Sequence, residues 1–339
     1  MSVRWRAFVP GRIEVFGKHT DYAGGHSLVA AIPQGITVVA EKTRDGRVDV
    51  PPSPYADTVI RRLRANFPGV DFSARISWSS NLPQASGMSS SSALIIAIAE
   101  ALIACSGIEE TEAWKDTIRT REDRASYFGC IENGSRFGSL AGDAGVGTHG
   151  GSEDHAAILL SRAGCLGLFA FAPLRSVRSV TMPAGWTFVV ATSGVRAEKA
   201  AGARDAYNRL ADPAAMTGAR LEHFRAEDAR VLDAAEAFAR GDIARIGALA
   251  ADSQCDADHL LGNQVPETRD LVAIALETGA AAASSFGAGW GGSVWALARD
   301  TDAAAFGARW LAAYRARHPQ RDARVLLSPP GEGFRRLDD

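Results

Sequence analysis

Apolar and polar positions alternate with a period of two along roughly the first 80 residues. The segments RWRAFV from Arg4, SLVAAI from Ser27, GITVVAEK from Gly35 and RISW from Arg75 each place successive side chains on opposite faces, as half-buried strands do. Gly, Pro and Asp turns separate them, including Asp45-Gly46. The period then lengthens. A helix is predicted from about Ser89 to Cys105 and another from about Thr111 to Asn133. Two strands follow, CLGLFAFA from Cys165 and GWTFVVAT from Gly185. A long helical stretch then runs from about Glu198 to Thr278, broken near Pro213, at Gly241 and from Asn263 to Pro266. The chain returns to strand at SVWALA from Ser293 and ARVLLS from Ala323. No repeat or low-complexity tract interrupts this order. Strands and helices without strict βαβ alternation predict an α+β fold, with a boundary between residues 180 and 195 and halves of 1–187 and 188–339.

Composition narrows the classes. With 46% hydrophobic and 22% charged residues over 339 positions, the chain has the make-up of a soluble globular protein with a sizeable core. A net charge of −2 supplies no basic surplus for nucleic acid or an anionic membrane. Cys105, Cys130, Cys165 and Cys255 lie far apart with no C-x-x-C pair, which argues against a disulfide framework or a thiolate zinc site. The start, MSVRWRAFVPGR, has no apolar core of the kind a signal peptide needs, and the longest apolar run, Ala93 to Cys105, contains Glu100. These features fit a cytoplasmic enzyme.

Three segments carry candidate chemistry. In LPQASGMSSSSALIIAIAEAL, Leu82 to Leu102, a run of small residues opens an apolar helix. Such a loop presents unpaired backbone N–H groups and the positive end of the helix dipole to a polyphosphate. One serine suffices to cap a helix; Ser89, Ser90, Ser91 and Ser92 exceed that need, and their hydroxyls suit phosphate oxygens or Mg²⁺. No G-x-x-x-x-G-K-[ST] loop occurs; the nearest approach, Gly11 to His19, has the wrong spacing. In SSFGAGWGGSVWALA, Gly287, Gly289 and Gly292 match G-x-G-x-x-G, but the residues that follow alternate like a strand, so a glycine turn between two strands beside a ligand fits better than a dinucleotide fold. In PGRIEVFGKHTDYAGG, Arg12, Glu14, Lys18, His19 and Asp21 fall within ten residues between glycines, as in an active-site loop or a charged surface hairpin.

Together and in this order, the three segments resemble the GHMP kinases, and within them the galactokinase branch. Gly11-Arg12 and GKHTDYAGG are similar to the galactokinase signature; the serine loop is similar to P-x-G-x-G-L-S-S-S-A, with Ala85 and Met88 in place of Gly and Leu; the last loop is similar to T-G-A-G-x-G-G, with Phe286 in place of Thr. The resemblance implies a two-domain fold with mixed and antiparallel sheets, an active site between the domains, and transfer of the terminal phosphate of ATP, with Mg²⁺, to the anomeric hydroxyl of a galactose-like monosaccharide. By the same resemblance, Pro83, Ser86, Gly87, Ser89 to Ser92, Gly287 and Gly289 would hold ATP, and Glu132 with Ser91 would hold Mg²⁺. Arg12 and Asp154 would be catalytic, and His19, Asp21, Gly151, Tyr207 and Lys18 would meet the sugar. The stretch from Gly134 to Gly151 is longer than usual, which leaves Glu153 as the alternative to Asp154. HGGSEDH, His149 to His155, also reads as a possible metal site or plain surface loop.

Lys18 departs from the pattern, since galactokinases place Glu there. A lysine only donates and carries the opposite charge, so a site built around it would prefer a carboxylate, as in galacturonate. DHAAILLSRAG is similar to a stretch of plant galacturonate kinases. The other reading turns Lys18 to solvent or pairs it with Glu14 or Glu153. A non-catalytic sugar and ATP sensor, or a homoserine- or mevalonate-type kinase, are the further alternatives. The oligomeric state is not legible.

Overall fold

A computed structural model describes residues 4–83, 86–195 and 202–338. Ala85 and the expected helix start at Glu198 lie outside them. The described elements are β1 (Arg4–Phe16), β2 (His26–Lys42), β3 (Val48–Asp49), α1 (Pro54–Asn66), β4 (Ala74–Ser80), α2 (Ser90–Ser106), α3 (Glu112–Thr117), α4 (Arg121–Asn133), α5 (Glu153–Leu160), β5 (Cys165–Ala170), β6 (Arg175–Thr181) and β7 (Trp186–Thr192). The second half continues with α6 (Ala203–Ala211), α7 (Gly218–Arg240), α8 (Ile243–His259), α9 (Pro266–Glu277), β8 (Ala282–Phe286), β9 (Ser293–Arg299), α10 (Ala303–Arg317), β10 (Val325–Leu327) and β11 (Arg335–Arg336).

The first sheet runs β11-β1-β2-β4-β3, with β5 and β6 added beyond one end of β2; every pairing is antiparallel except β3 with β4. SLVAAI and GITVVAEK, expected as separate strands, are one strand that passes through Pro33 and Gly35. β1 is also long, 13 residues against 17, and its register to β2 shifts between Pro10 and Arg12. Gly11 sits at that shift because a Cβ there would meet the Met88 carbonyl at 2.8 Å. Beyond it the strand alternates again, with Ile13 and Val15 fully buried in the core and Arg12 and Glu14 on the opposite face.

The first 80 residues are therefore not all strand. α1 intervenes, with Pro54 in its first turn and Ala56, Val59 and Leu63 spaced along its buried face as a helix requires. The single helix expected over Thr111 to Asn133 is two, because Thr120 and Asp123 form a capping box that starts α4 afresh. α2 is buried on all sides from Ile95 to Ile103, as its unbroken apolar composition demands, and its one charge, Glu100, is held by Arg124 at 2.6 Å. α5, β6 and α10 were not anticipated.

The second sheet, β10-β7-β9-β8, is wholly antiparallel. Along β7 the alternation divides two cores. Val189 and Ala191 pack with α9 and α10 around Trp310, while Phe188 and Val190 join the main core through Trp295, whose ring lies 6.1 Å from that of Phe16 on β1. The sheets change at Trp186, yet the main core runs across residues 187 and 188. The architecture is mixed α+β.

Candidate active site

A cleft of about 670 Å³ opens where β1 leaves its bulge, between the serine loop, the glycine loop and the N-terminus of α5. Because Arg12 and Glu14 share a strand face, both reach its wall. Arg12 donates through Nε to Asp154 Oδ1 at 2.8 Å and through Nη1 to the Gly87 carbonyl at 2.6 Å. Glu14 accepts the Gly287 N–H at 2.7 Å. One strand thus holds both loops. Burial pushes Glu14 up to about 7, despite the nearby Arg12 and Lys18.

The two loops also hold each other. Ser293 Oγ donates to the Ser86 carbonyl at 2.6 Å, and a Cβ on Gly287 would come within 3.2 Å of the Gly87 carbonyl, so the close approach depends on glycine. Gly287 to Gly292 turn between β8 and β9, which supports the strand-turn-strand reading over a dinucleotide loop. Gly289, with φ at 91°, packs against Asn263, and a Cβ there would lie 2.6 Å from that residue's carbonyl. Ser89 precedes α2 in the left-handed region, φ 58°, without a side-chain cap, so the first N–H groups of α2 face the cleft free of any cap. Gly87, Ser89 to Ser92, Gly287 and Gly289 line the cleft; Pro83 and Ser86 sit behind it, joined by a Ser86 Oγ to Pro83 carbonyl bond of 2.8 Å.

α4 ends at Gly134 in the left-handed region and leaves Glu132 in its last turn, facing α5. Here the expected pairing changes. Ser92, not Ser91, donates to Glu132 Oε2 at 2.7 Å and to Asp154 Oδ2 at 3.1 Å. Ser91 also lines the cleft, but successive helical side chains point about 100° apart, and Ser92 is the one turned to Glu132. A carboxylate and a hydroxyl suit a hard divalent cation. Among the described residues no set of three Asp, Glu, His or Cys side chains forms a complete cage. Nucleotide phosphates would supply the remaining oxygens.

Asp154 and Glu153 stand side by side in the first turn of α5 with opposite electrostatics. Burial acts to raise Asp154, but the Arg12 guanidinium outweighs it and holds the carboxyl below its ordinary value. Glu153 is pushed well above the usual range by burial and by the Glu14 and Asp21 charges, and it accepts Ser27 Oγ at 2.6 Å. Asp154 is 29% exposed, into the cleft, and is the ionised member.

Beyond Asp154 lies an aromatic recess. His19, Tyr22 and Tyr207 meet with ring centroids 5.4–6.1 Å apart. Burial drops His19 to about 3, so it is neutral. Its Nδ1 accepts from Tyr22 Oη at 2.7 Å when Nε2 donates to the Ala288 carbonyl at 3.1 Å, and Arg220 donates to Tyr22 Oη. Asp21 accepts the Glu153 N–H at 3.2 Å, and Gly151 has no room for a side chain because a Cβ would overlap that carboxylate. Burial raises Asp21. His19, Asp21, Gly151 and Tyr207 are all brought together here.

Lys18 is not. It is 2% exposed and does not line the cleft; Nζ donates to Ser253 Oγ at 2.7 Å and to Ser284 Oγ at 2.8 Å, and Ser253 donates to Glu227. The positive φ of Gly17 and of His19, 113° and 59°, turns the two side chains to opposite sides of the loop, His19 into the cleft and Lys18 into the core. It meets neither solvent nor the carboxylates of Glu14 or Glu153. Burial lowers its pKa, against the pull of Glu227.

The long stretch after Gly134 has a visible job. Fully buried Arg62 of α1 donates to the Ser135 and Gly134 carbonyls and to Asp143, and Asn208 of α6 brackets Gly147 and His149 with two bonds of 3.0 Å. The stretch thus walls the cleft between α1 and α6, with Val146 and Thr148 facing Pro54 and Thr58. Sequence reasoning missed this wall, although Ser53-Pro54 and the spacing Ala56-Val59-Leu63 mark a helix. It also passed over Tyr22, and named His155 only within the metal-site or surface-loop reading of His149 to His155.

Comparison with known proteins agrees with this geometry. The galactokinase galactose-binding signature matches residues 2–42, the GHMP kinases N terminal domain matches 54–121, and the GHMP kinases C terminal domain matches 234–316. The chain belongs to the GHMP kinases. Within that superfamily it falls in the galactokinase branch, whose sugar signature it carries. Galactokinase of Lactococcus lactis, solved with galactose, superposes with a TM-score of 0.82 at 19% identity, over 98% of this chain and 95% of that one. Homoserine kinase of Cytophaga hutchinsonii (TM-score 0.67, 18% identity, 98% and 97% coverage) shares the fold, as does L. major mevalonate kinase in complex with R-mevalonate (0.65, 19%, 98% and 97%). No helix of the described residues is long and apolar enough to cross a membrane.

Proposed function

We propose that this protein is an ATP-dependent sugar kinase that phosphorylates the anomeric hydroxyl of a neutral galactose-like monosaccharide. One observation carries the reading: Asp154, kept ionised by Arg12, opens between the uncapped start of α2 and the recess of His19, Asp21 and Tyr207. The first fits a polyphosphate and the second a polyol against an aromatic face. Asp154 Oδ1 is held by Arg12 and Oδ2 faces the cleft beside Ser92, so Oδ2 is the atom to take the acceptor proton. Arg12, anchored on Gly87, lies where charge builds on the transferring group. Glu132 and Ser92 would hold a divalent cation, which when bound neutralises phosphate charge. Residues 1–187 and 188–339 are read as the two halves that meet at the cleft. Galacturonate loses the ground that Lys18 offered, because that ammonium does not reach the cleft. The test is incubation with ATP, Mg²⁺ or Mn²⁺, and a panel of aldoses and uronic acids, with sugar 1-phosphate as the product followed. Galactose or a close stereoisomer is expected to turn over; no phosphate on any neutral sugar would overturn the proposal.

A further inference from the structure

His155 follows Asp154 on α5, is 2% exposed, and lines the cleft. Neither of its ring nitrogens has a hydrogen-bond partner. Its Nε2 nevertheless lies 3.2 Å from Glu132 Oε2, the same oxygen that accepts Ser92 Oγ at 2.7 Å. A buried imidazole with both nitrogens unpaired is costly unless a ligand completes it. His19, the other cleft histidine among the described residues, has both nitrogens engaged.

We propose that His155 Nε2 is a nitrogen ligand in the divalent-cation site, beside Glu132 and Ser92. This rests on the cleft being a nucleotide site but not on which sugar is used. The spacing suits it: two donors each bound at ~2.1 Å and at right angles about one ion are about 3 Å apart. An imidazole nitrogen adds little for Mg²⁺, whose preference is for oxygen, and adds much for Mn²⁺ and still more for Co²⁺. The site therefore favours a transition-metal ion relative to one built of oxygens alone. A histidine that only orients Glu132 through a hydrogen bond would bond no metal.

The experiment uses the full chain with Mn²⁺ and a non-hydrolysable ATP analogue, read by electron spin echo envelope modulation. Wild type is expected to show a nitrogen coupling to Mn²⁺ that changes isotope when histidine alone is ¹⁵N-labelled, which separates it from the nitrogens of the nucleotide. H155Q is expected to lose that coupling. By calorimetry, the ratio of Mn²⁺ to Mg²⁺ affinity in the nucleotide complex is expected to fall at least tenfold in H155Q. Bound Mn²⁺ and nucleotide without a histidine coupling in wild type would overturn the proposal, and this arm needs no variant to fold. An unchanged metal ratio in H155Q would overturn it also. Failure of the nucleotide analogue to bind would instead overturn the kinase reading on which it rests.

Discussion

Replacing Lys18 by methionine tests whether this residue acts on the substrate or on the fold. The ammonium sits in a buried polar cluster with Ser253, Ser284 and Glu227. Glu227 is fully buried, and though burial acts to raise it, Lys18 and Arg230 hold it at about 2. Removing one partner of a buried charged cluster typically costs about 3–5 kcal/mol. The lower end applies, because Arg230 still contacts Glu227 and methionine fills most of the volume. For 339 residues the unfolding entropy is roughly 0.7 kcal/mol/K, so about 3 kcal/mol lowers Tm by about 4 °C. Calorimetry or dye-monitored melting reads this directly. The ratio of kcat/KM for galactose to that for galacturonate is expected to stay within about threefold of wild type, since the side chain does not face the cleft. K18E, which restores the family's residue type, would bury a carboxylate against Glu227 and is expected to yield no soluble protein. A tenfold change in the sugar ratio of K18M, with Tm unmoved, would refute the reasoning.

Asp154→Asn is expected to lower kcat by about 10²–10⁴ while ATP-analogue affinity by calorimetry stays within a few-fold, because Asp154 lines the cleft and on the proposed reading meets the acceptor; near-normal turnover would move the role to Glu153. Gly151→Ala is expected to displace Asp21 and raise the sugar KM at least tenfold with little change in ATP-analogue affinity; equal losses for both ligands would count against a sugar-side role. Glu14 has a folded pKa near 7, above the ordinary value of 4.5, so the stability it contributes is complete below about pH 4.5 and is lost as pH rises through 7. Wild type should therefore lose up to about 3 kcal/mol relative to E14Q across that window, measured by urea unfolding. For His223 the sign reverses: burial lowers it to about 4, so its contribution is complete above pH 6.5 and is lost as pH falls towards 4, and H223Q should flatten that acid loss.

The order of motifs made the superfamily, the α+β class and the helix breaks near Pro213 and Gly241 legible, because each depends on local chemistry: small residues opening a helix, glycines between strands, caps ending helices. The site was legible where backbone and side chain act together, as at Gly151 with Asp21 and at Arg12 with Asp154. It was not legible where the direction of one side chain decides. Ser91 and Ser92 are chemically alike, and only their place on the turn of α2 gives Glu132 to Ser92. Lys18 and His19 are neighbours, and only the positive φ angles around them send one to the core and the other to the cleft.

The carboxylates show the same division more sharply. Four of them, Glu14, Asp21, Glu153 and Asp154, crowd one region, and composition alone cannot say which is charged at neutral pH. All are desolvated; Glu14, Asp21 and Asp154 raise Glu153, and Asp154 raises Asp21. The answer lies with the one guanidinium in their midst. Arg12 bonds Asp154 directly, at 2.7 and 2.8 Å, but lies 3.7 Å from Glu153 and meets Glu14 only through space. Asp154 is thus the one carboxyl that Arg12 holds below its ordinary value, while burial outweighs the guanidinium at the other three. On the proposed reading, an arginine at this bulge in β1 would select the base as well as meet the transferring phosphate. On this argument Arg12→Lys, which keeps the charge but loses the fork that grips Asp154 and Gly87 together, is expected to damage turnover far more than ATP-analogue affinity.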